Sequence, residues 1–98
     1  MTSEPTSLGR EPVAHILVVE DSLGVARSLS LALGLYREGI FRAETCASAE
    51  EALEKLHAAR FDLIVSDLRL PGMDGLALLE RARQVSPRTR SILITAFG

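Results

Sequence analysis

Short apolar runs recur along the chain in the segments HILVVED, FDLIVSD and SILITAFG. Each run is rich in β-branched residues and does not alternate with polar positions. Such runs are typical of strands that are buried on both faces, as in a parallel sheet. In a further segment, FRAETCA, two sets of residues alternate: Phe41, Ala43, Thr45 and Ala47 with Arg42, Glu44 and Cys46. This alternation predicts a half-exposed strand at the edge of the sheet.

The intervals between these segments have the periodicity of amphipathic helices. Ser22 is the predicted N-cap of the first helix, and Ser48 and Glu51 have the spacing of a capping box at the start of the second. Asp74 is the predicted N-cap of a third helix, which ends before Pro87. The predicted inner faces contain, in chain order, Val25, Ala26, Leu29, Leu31, Leu33, Ala49, Ala52, Leu53, Leu56, Leu76, Leu78, Leu79 and Ala82.

The predicted order of elements is β-α-β-α-β-α-β. Strands that alternate with helices indicate the α/β class, with a doubly wound, mostly parallel sheet and right-handed crossovers. We expect one domain over residues 13–98, preceded by a polar, flexible leader at residues 1–12 that lacks the features of a signal peptide. A helix is expected after the fourth strand, but the chain ends there at Gly98.

Composition narrows the class of protein. Of the 98 residues, 47% are apolar and 24% are charged, with a formal net charge of -2, as in an ordinary globular chain. The mixed charges argue against direct nucleic-acid binding through a broad basic surface, and no segment approaches the roughly 20 apolar residues of a membrane span. Cys46 is the only cysteine, which excludes an internal disulfide and favours a cytoplasmic protein.

Polar side chains follow the apolar runs at the points where the predicted strands end. Glu20 and Asp21 follow the first run, Asp67 the third strand and Thr95 the fourth. Ligands of open α/β sheets bind at this carboxyl edge. If these strands are neighbours, the three acids repel one another unless one protonates or a cation binds, and an all-oxygen set favours Mg²⁺. Asp67 would then be placed as a carboxylate nucleophile towards phosphorus, with Thr95 as a hydrogen-bond donor.

The segments VVEDS, SDLRLPGMDG and LITAFG, in this order and spacing, closely resemble the receiver domain of two-component response regulators. The resemblance covers residues 14–98, and Pro71, Gly72 and Gly75 match the family's loop after the acceptor. It implies a flavodoxin-like fold with strand order 2-1-3-4-5. This chain would contain an incomplete version of that fold, with order 2-1-3-4.

The resemblance also implies roles for individual residues. Asp67 would accept a phosphoryl group from a sensor histidine kinase or a phosphotransfer protein. Glu20, Asp21, Asp67 and the backbone carbonyl of Arg69 would hold Mg²⁺, and Thr95 would be the switch hydroxyl. Such a domain is a signalling module that assists its own phosphorylation and dephosphorylation, and it is not classed as an enzyme.

The sequence departs from the family after the fourth strand. The family uses a lysine and an aromatic residue on a fifth strand, whereas the only lysine here is Lys55, on the second predicted helix. The family's fourth helix, fifth strand and fifth helix are also missing. We therefore expect the fourth strand to be an exposed edge that favours pairing with another chain, and the polypeptide to be marginally stable or self-associating unless it is a fragment of a longer protein.

Two other functions remain open. A receiver-like interaction module that cannot be phosphorylated would account for the missing lysine. A small phosphatase with an aspartyl nucleophile is the other, although the segment DLR supplies no second carboxylate two residues after Asp67. His15 and His57 have no partner at metal-ligand or catalytic spacing, so we expect both to be structural or surface residues.

Overall fold

The computed structural model describes residues 14–36 and 40–94. The predicted leader and Thr95 lie outside these ranges. The described chain alternates strands and helices in the order β1 (Ala14–Val19), α1 (Leu23–Tyr36), β2 (Phe41–Cys46), α2 (Ala49–Ala58), β3 (Leu63–Asp67), α3 (Gly75–Val85) and β4 (Arg90–Ile94). The strands are parallel and lie in the order β2-β1-β3-β4, which confirms the predicted fold class and strand order.

The order of the strands determines which helices share a face of the sheet. From β1 the chain moves outwards to β2, then returns past β1 to β3 and on to β4. Because such crossovers are right-handed, α1 lies on one face and α2 and α3 lie on the other. The side chains agree with this division, since α2 and α3 contribute to one apolar cluster with Leu17, Val19 and Ile64.

Among the described strands, β1 alone is buried on both faces. The four residues 16–19 of β1 are each at most 1% exposed, as the apolar run predicts. Burial on both faces is wrong for β3, because Leu63 and Val65 are only half-buried on either side of the buried Ile64. It is also wrong for β4, where Ile92 is 48% and Leu93 is 38% exposed. For Ile92, which shares a face of the sheet with Val18 and Val65, the exposure arises because α1 packs on β1 and β2 and does not cover the far half of its face.

Strand β2 lies at the edge of the sheet, as its alternating pattern predicts. At the end of β2, Cys46 is buried and Thr45 is exposed. The register explains the burial of Cys46, because Cys46 pairs with Val19 and joins the same apolar cluster beneath α2. Cys46 is therefore a packed core residue.

All three predicted N-caps are confirmed. The side chains of Ser22, Ser48 and Asp74 accept hydrogen bonds from backbone N–H groups of the first helical turns, at 3.4, 3.2 and 2.8 Å respectively. The Glu51 carboxylate accepts a hydrogen bond from the backbone N–H of Ala47 at 3.0 Å. In a standard capping box this donor is the N-cap residue itself, one residue later. These bonds satisfy donors that a helix leaves unpaired at its start.

The predicted inner faces are correct for α2 and only partly correct for α1 and α3. In α1, Ala26 is buried, whereas Leu31 is 64% exposed, because this helix is apolar on most sides and its periodicity does not specify one stripe. In α3, Leu76 is 54% exposed and Leu78 is fully buried. Here the line of Gly75, Leu78 and Ala82 faces the sheet. None of the described helices is long and apolar enough to cross a membrane.

The burial of Cys46 predicts a slow, pH-dependent reaction of its thiol. Burial raises the pKa of this thiol to about 11, with a further contribution from the charge of Glu51. An unfolded cysteine titrates at about 8.5. The folded state therefore favours the protonated thiol, and this contribution to stability is present below about pH 8.5 and is lost as the pH rises through about 11.

At pH 8 we expect a disulfide reagent such as dithiobis(nitrobenzoic acid) to modify the native chain at least tenfold more slowly than the urea-unfolded chain. The release of the coloured thiolate measures both rates. Equal rates in the two states would show that Cys46 is not packed as the structure describes.

Candidate functional site

The acidic side chains of the first and third strands meet at the carboxyl edge of the sheet. Glu20 directly follows β1, and Asp67 is the last residue of β3. Because β1 and β3 are neighbours, with Val19 paired with Ser66, the two acids are brought side by side. One carboxylate oxygen from each of Glu20, Asp21 and Asp67 lies within 4.8 Å of the others. The structure therefore brings together the three acids that the sequence predicted to converge.

Two of the three acids are removed from solvent. Glu20 is 4% exposed and Asp67 is 6% exposed, while Asp21 lies on the surface. Burial raises the pKa of the Glu20 carboxyl, the N–H of Ser22 lowers it, and the nearby charges of Asp67 and Asp21 raise it again. The site therefore opposes full ionisation unless positive charge is added.

The two oxygens of Glu20 have different surroundings. Its Oε2 accepts a hydrogen bond from the N–H of Ser22 at 3.1 Å. Its Oε1 is buried and has no hydrogen-bond partner among the described residues. A buried polar oxygen without a partner costs free energy, and a charged one costs more. This oxygen therefore needs a proton or a cation at the acidic cluster.

The donor set suits a hard divalent cation. Three carboxylates and no histidine or thiol make up the cluster, and carboxylate oxygens are ligands that Mg²⁺ prefers. Octahedral Mg²⁺ with bonds of 2.0–2.1 Å places its ligand oxygens roughly 3 to 4 Å apart. The carboxylate oxygens of the cluster lie within 4.8 Å of one another, which is close to these separations. The residues thus fit Mg²⁺.

The loop after Asp67 is bound back to that residue. The N–H of Arg69 donates to Asp67 Oδ1 at 3.2 Å, and the N–H of Leu68 donates to the carbonyl of Ile94 at 2.8 Å. Gly72 has a φ of 77°, a left-handed conformation that favours glycine. Arg69 is therefore adjacent to the acidic cluster, and its carbonyl as a metal ligand remains a prediction.

Other predicted residues lie away from this cluster. Lys55 forms an ion pair with Glu44 at 3.3 Å, between α2 and β2. The backbone N–H of His15 donates to the carboxylate Oδ2 of Asp62 at 2.8 Å, and the imidazole ring lies beside the ring of Phe61. His57 is exposed and borders a groove of about 460 Å³ between the ends of α2 and α3, whose lining contains no carboxylate. These observations agree with structural or surface roles for both histidines.

A smaller cavity of about 230 Å³ opens beside Glu20 and Asp21 and extends over Cys46.

Sequence reasoning assigned Ser22 only to helix capping and missed its second role, the hydrogen bond from its backbone N–H to Glu20. An acid two residues before a predicted N-cap is the signal that would have indicated this contact.

Comparison with known proteins gives a consistent result. The family model described as "Response regulator receiver domain" matches residues 16–98. The transcriptional regulatory protein GlrR of Escherichia coli K12 is 38% identical over 85 residues, which cover 87% of this chain and 18% of GlrR. The chain therefore spans less than a fifth of the length of this relative.

Solved structures of two relatives have the same fold. A CheY-like receiver domain from Methanospirillum hungatei superposes with a TM-score of 0.80 at 30% identity, over 89% of this chain and 67% of that one. The response regulator TrrA of Thermotoga maritima, solved in complex with Mg(2+)-BeF, gives a TM-score of 0.79 at 29% identity, over 88% of this chain and 72% of that one. TrrA was also solved in complex with the histidine kinase ThkA.

The crowded carboxylates predict that Mg²⁺ stabilises the folded chain. At a Mg²⁺ concentration about a hundred times the Kd, binding to the folded state alone adds ~2.7 kcal/mol to the free energy of unfolding. Glu20→Gln should raise the melting temperature without Mg²⁺, because the neutral amide removes a buried negative charge, and should abolish most of the gain from Mg²⁺. Circular dichroism at pH 7 measures both effects.

Glu54→Gln is the matched control, since Glu54 is an exposed acid on α2. It should respond to Mg²⁺ as the unsubstituted chain does. An equal Mg²⁺ response in the unsubstituted chain and in Glu20→Gln would contradict the assignment of the acidic cluster.

Proposed function

The chain belongs to the response regulator receiver domain family, and from this membership we propose that Asp67 is its phosphoryl acceptor. The domain has an acidic pocket that is compatible with Mg²⁺ and with aspartate phosphorylation. The observation that supports the proposal most strongly is the convergence of Glu20, Asp21 and Asp67, with a buried Glu20 oxygen that has no hydrogen-bond partner among the described residues.

In the proposed reaction, an oxygen of Asp67 attacks the phosphorus atom of a phosphohistidine. The new O–P bond forms as the N–P bond breaks, and the leaving imidazole takes a proton from solvent. The hydrogen bond from the N–H of Arg69 to Asp67 Oδ1 orients the carboxylate. Glu20, Asp21 and the carbonyl of Arg69 would complete the Mg²⁺ ligands, and bound Mg²⁺ would neutralise charge on the phosphoryl group. Hydrolysis of the acyl phosphate returns the carboxylate and inorganic phosphate.

We assign Thr95 the role of the hydroxyl that responds to the phosphoryl group. Ile94 pairs with Asp67 in the register between β3 and β4, and Thr95 follows Ile94 directly in the sequence. This adjacency supports the assignment.

The proposed partner is a sensor histidine kinase or a phosphotransfer protein. The complex of TrrA with the histidine kinase ThkA supports this class of partner. We further propose that the chain is a signalling module with no separate enzymatic activity, and that it acts in the cytoplasm. The buried free thiol of Cys46 supports a reducing compartment.

One observation favours a second function, a receiver-like interaction module that is not phosphorylated. Lys55, the only lysine of the sequence, pairs with Glu44 and is not part of the acidic cluster. Within residues 1–98, no lysine is therefore placed to contact a phosphoryl group on Asp67 as the family's lysine does. Phosphorylation of the chain distinguishes the two functions.

Incubation with Mg²⁺ and acetyl phosphate should add the mass of one phosphoryl group, in an acid-stable and hydroxylamine-labile form. Asp67→Asn should abolish the addition. Asp74→Asn is the matched control, because asparagine caps a helix as well as aspartate does, and it should be modified at the rate of the unsubstituted chain. Intact-mass spectrometry measures all three. No modification of a folded, unsubstituted chain would favour the interaction module.

We also propose that this polypeptide self-associates through β4. Within the part of the chain that the structure describes, β4 pairs with β3 on one side only, and Ile92 and Leu93 are 48% and 38% exposed. An unpaired strand edge with apolar side chains is a template for pairing with a second copy.

Sedimentation equilibrium should therefore show an average mass that rises with protein concentration. Ile92→Lys should lower the association constant at least tenfold, because it places a charge on the strand that would pair. Leu31→Lys is the control, since Leu31 is 64% exposed on α1 and is not on this edge. A monomer at every concentration would refute the proposal.

A further inference from the structure

Gly75, the first residue of α3, makes an unusually close backbone contact. A Cβ atom at this position would lie 2.1 Å from the carbonyl oxygen of Asp67 and 2.9 Å from Leu93 Cδ1. Its conformation does not require glycine, because Gly72 is the only described glycine with a positive φ. Glycine is therefore needed here for space, so that α3 can begin against the backbone of Asp67.

The same contact closes the loop that contains Arg69. The N–H of Gly75 donates to the carbonyl of Leu68 at 2.9 Å, and the N–H of Leu68 donates to the carbonyl of Ile94 at 2.8 Å. The N–H of Arg69 in turn binds Asp67 Oδ1 at 3.2 Å. The backbone from Asp67 to Arg69 is thus held between the start of α3 and the end of β4.

We propose that Gly75 is a positioning residue for the acidic cluster. It sets the distance between the start of α3 and the backbone of Asp67, and through this distance the places of the Asp67 carboxylate and the Arg69 carbonyl. The inference rests on the proposed function, in which these two groups bind Mg²⁺.

A methyl group at residue 75 would force a displacement. Raising the 2.1 Å contact to 3.0 Å requires the two backbones to separate by 0.9 Å. The Leu93 side chain can rotate away, but the contact with Asp67 is with its backbone, so it is relieved only if the backbone of Asp67 or the start of α3 shifts. Because Mg²⁺ requires near-ideal octahedral geometry, a displacement of this size should weaken its binding. Alanine has a higher helix propensity than glycine, so any loss of Mg²⁺ affinity in Gly75→Ala would have a steric cause.

The test compares Gly75→Ala with the matched control Gly24→Ala. Gly24 lies in the first turn of α1, and a Cβ there would have no atom within 4 Å. Isothermal titration calorimetry measures the Kd for Mg²⁺ at a temperature where circular dichroism shows each variant to be folded. We expect Gly75→Ala to bind Mg²⁺ at least tenfold more weakly and Gly24→Ala to bind with unchanged affinity.

Unchanged Mg²⁺ affinity in a folded Gly75→Ala chain would overturn the inference, as would an equal loss in Gly24→Ala. If Gly75→Ala is unfolded in buffer, both chains are compared in trimethylamine N-oxide, which favours the folded state. A second variant, Asp74→Ala, removes the N-cap of α3 without adding a Cβ at residue 75. Its melting temperature should fall, because an N-cap hydrogen bond is lost, and its Mg²⁺ affinity should be unchanged, which separates positioning from a general loss of stability.

The failure of the proposed function gives a different result. An unsubstituted chain that binds no Mg²⁺ contradicts that function, and the inference is then judged by amide chemical shifts. The amide signals of Leu68 and Arg69 should move in Gly75→Ala and stay in place in Gly24→Ala. Unmoved signals in Gly75→Ala would overturn the positioning role.

Discussion

The mutual repulsion of three carboxylates at one edge of a parallel sheet is the constraint on which the site depends. Glu20, Asp21 and Asp67 present oxygens within 4.8 Å of one another, and two of these side chains are almost fully buried. Burial removes the water that would solvate the charges, so each ionised group destabilises its neighbours. A proton or a cation relieves this repulsion, which links the ionisation of the site to whatever it binds.

The fold provides the stiffness that holds these charges together. Strand β1 is buried on both faces and lies between β2 and β3, so the end of β1 cannot move away from the end of β3. The acceptor loop is bound to β4 through Leu68 and to α3 through Gly75. A group bound at Asp67 would therefore act next to a loop whose backbone is hydrogen-bonded to both of these elements.

Much of this arrangement could be predicted from the sequence because its signals are local. The apolar run of β1, the capping residues Ser22, Ser48 and Asp74, and the acids at the strand ends each follow from neighbouring positions. The exposure of Leu31 and Leu76 could not be predicted, since periodicity defines an apolar arc and not the part of it that meets the sheet. The close approach at Gly75 depends on the distance between α3 and β3, which no local pattern specifies.

The most direct test of the acidic cluster is a Mg²⁺ titration of the ¹⁵N-labelled chain, followed by amide correlation spectra. If the acidic cluster binds Mg²⁺, the amides of Asp21, Asp67 and Arg69 shift together and saturate with a single Kd, while those of the exposed α2 acids Glu50 and Glu54 stay in place. Shifts that grow without saturation, or that are equal at Glu50 and Asp67, would contradict a specific cation site formed by Glu20, Asp21 and Asp67.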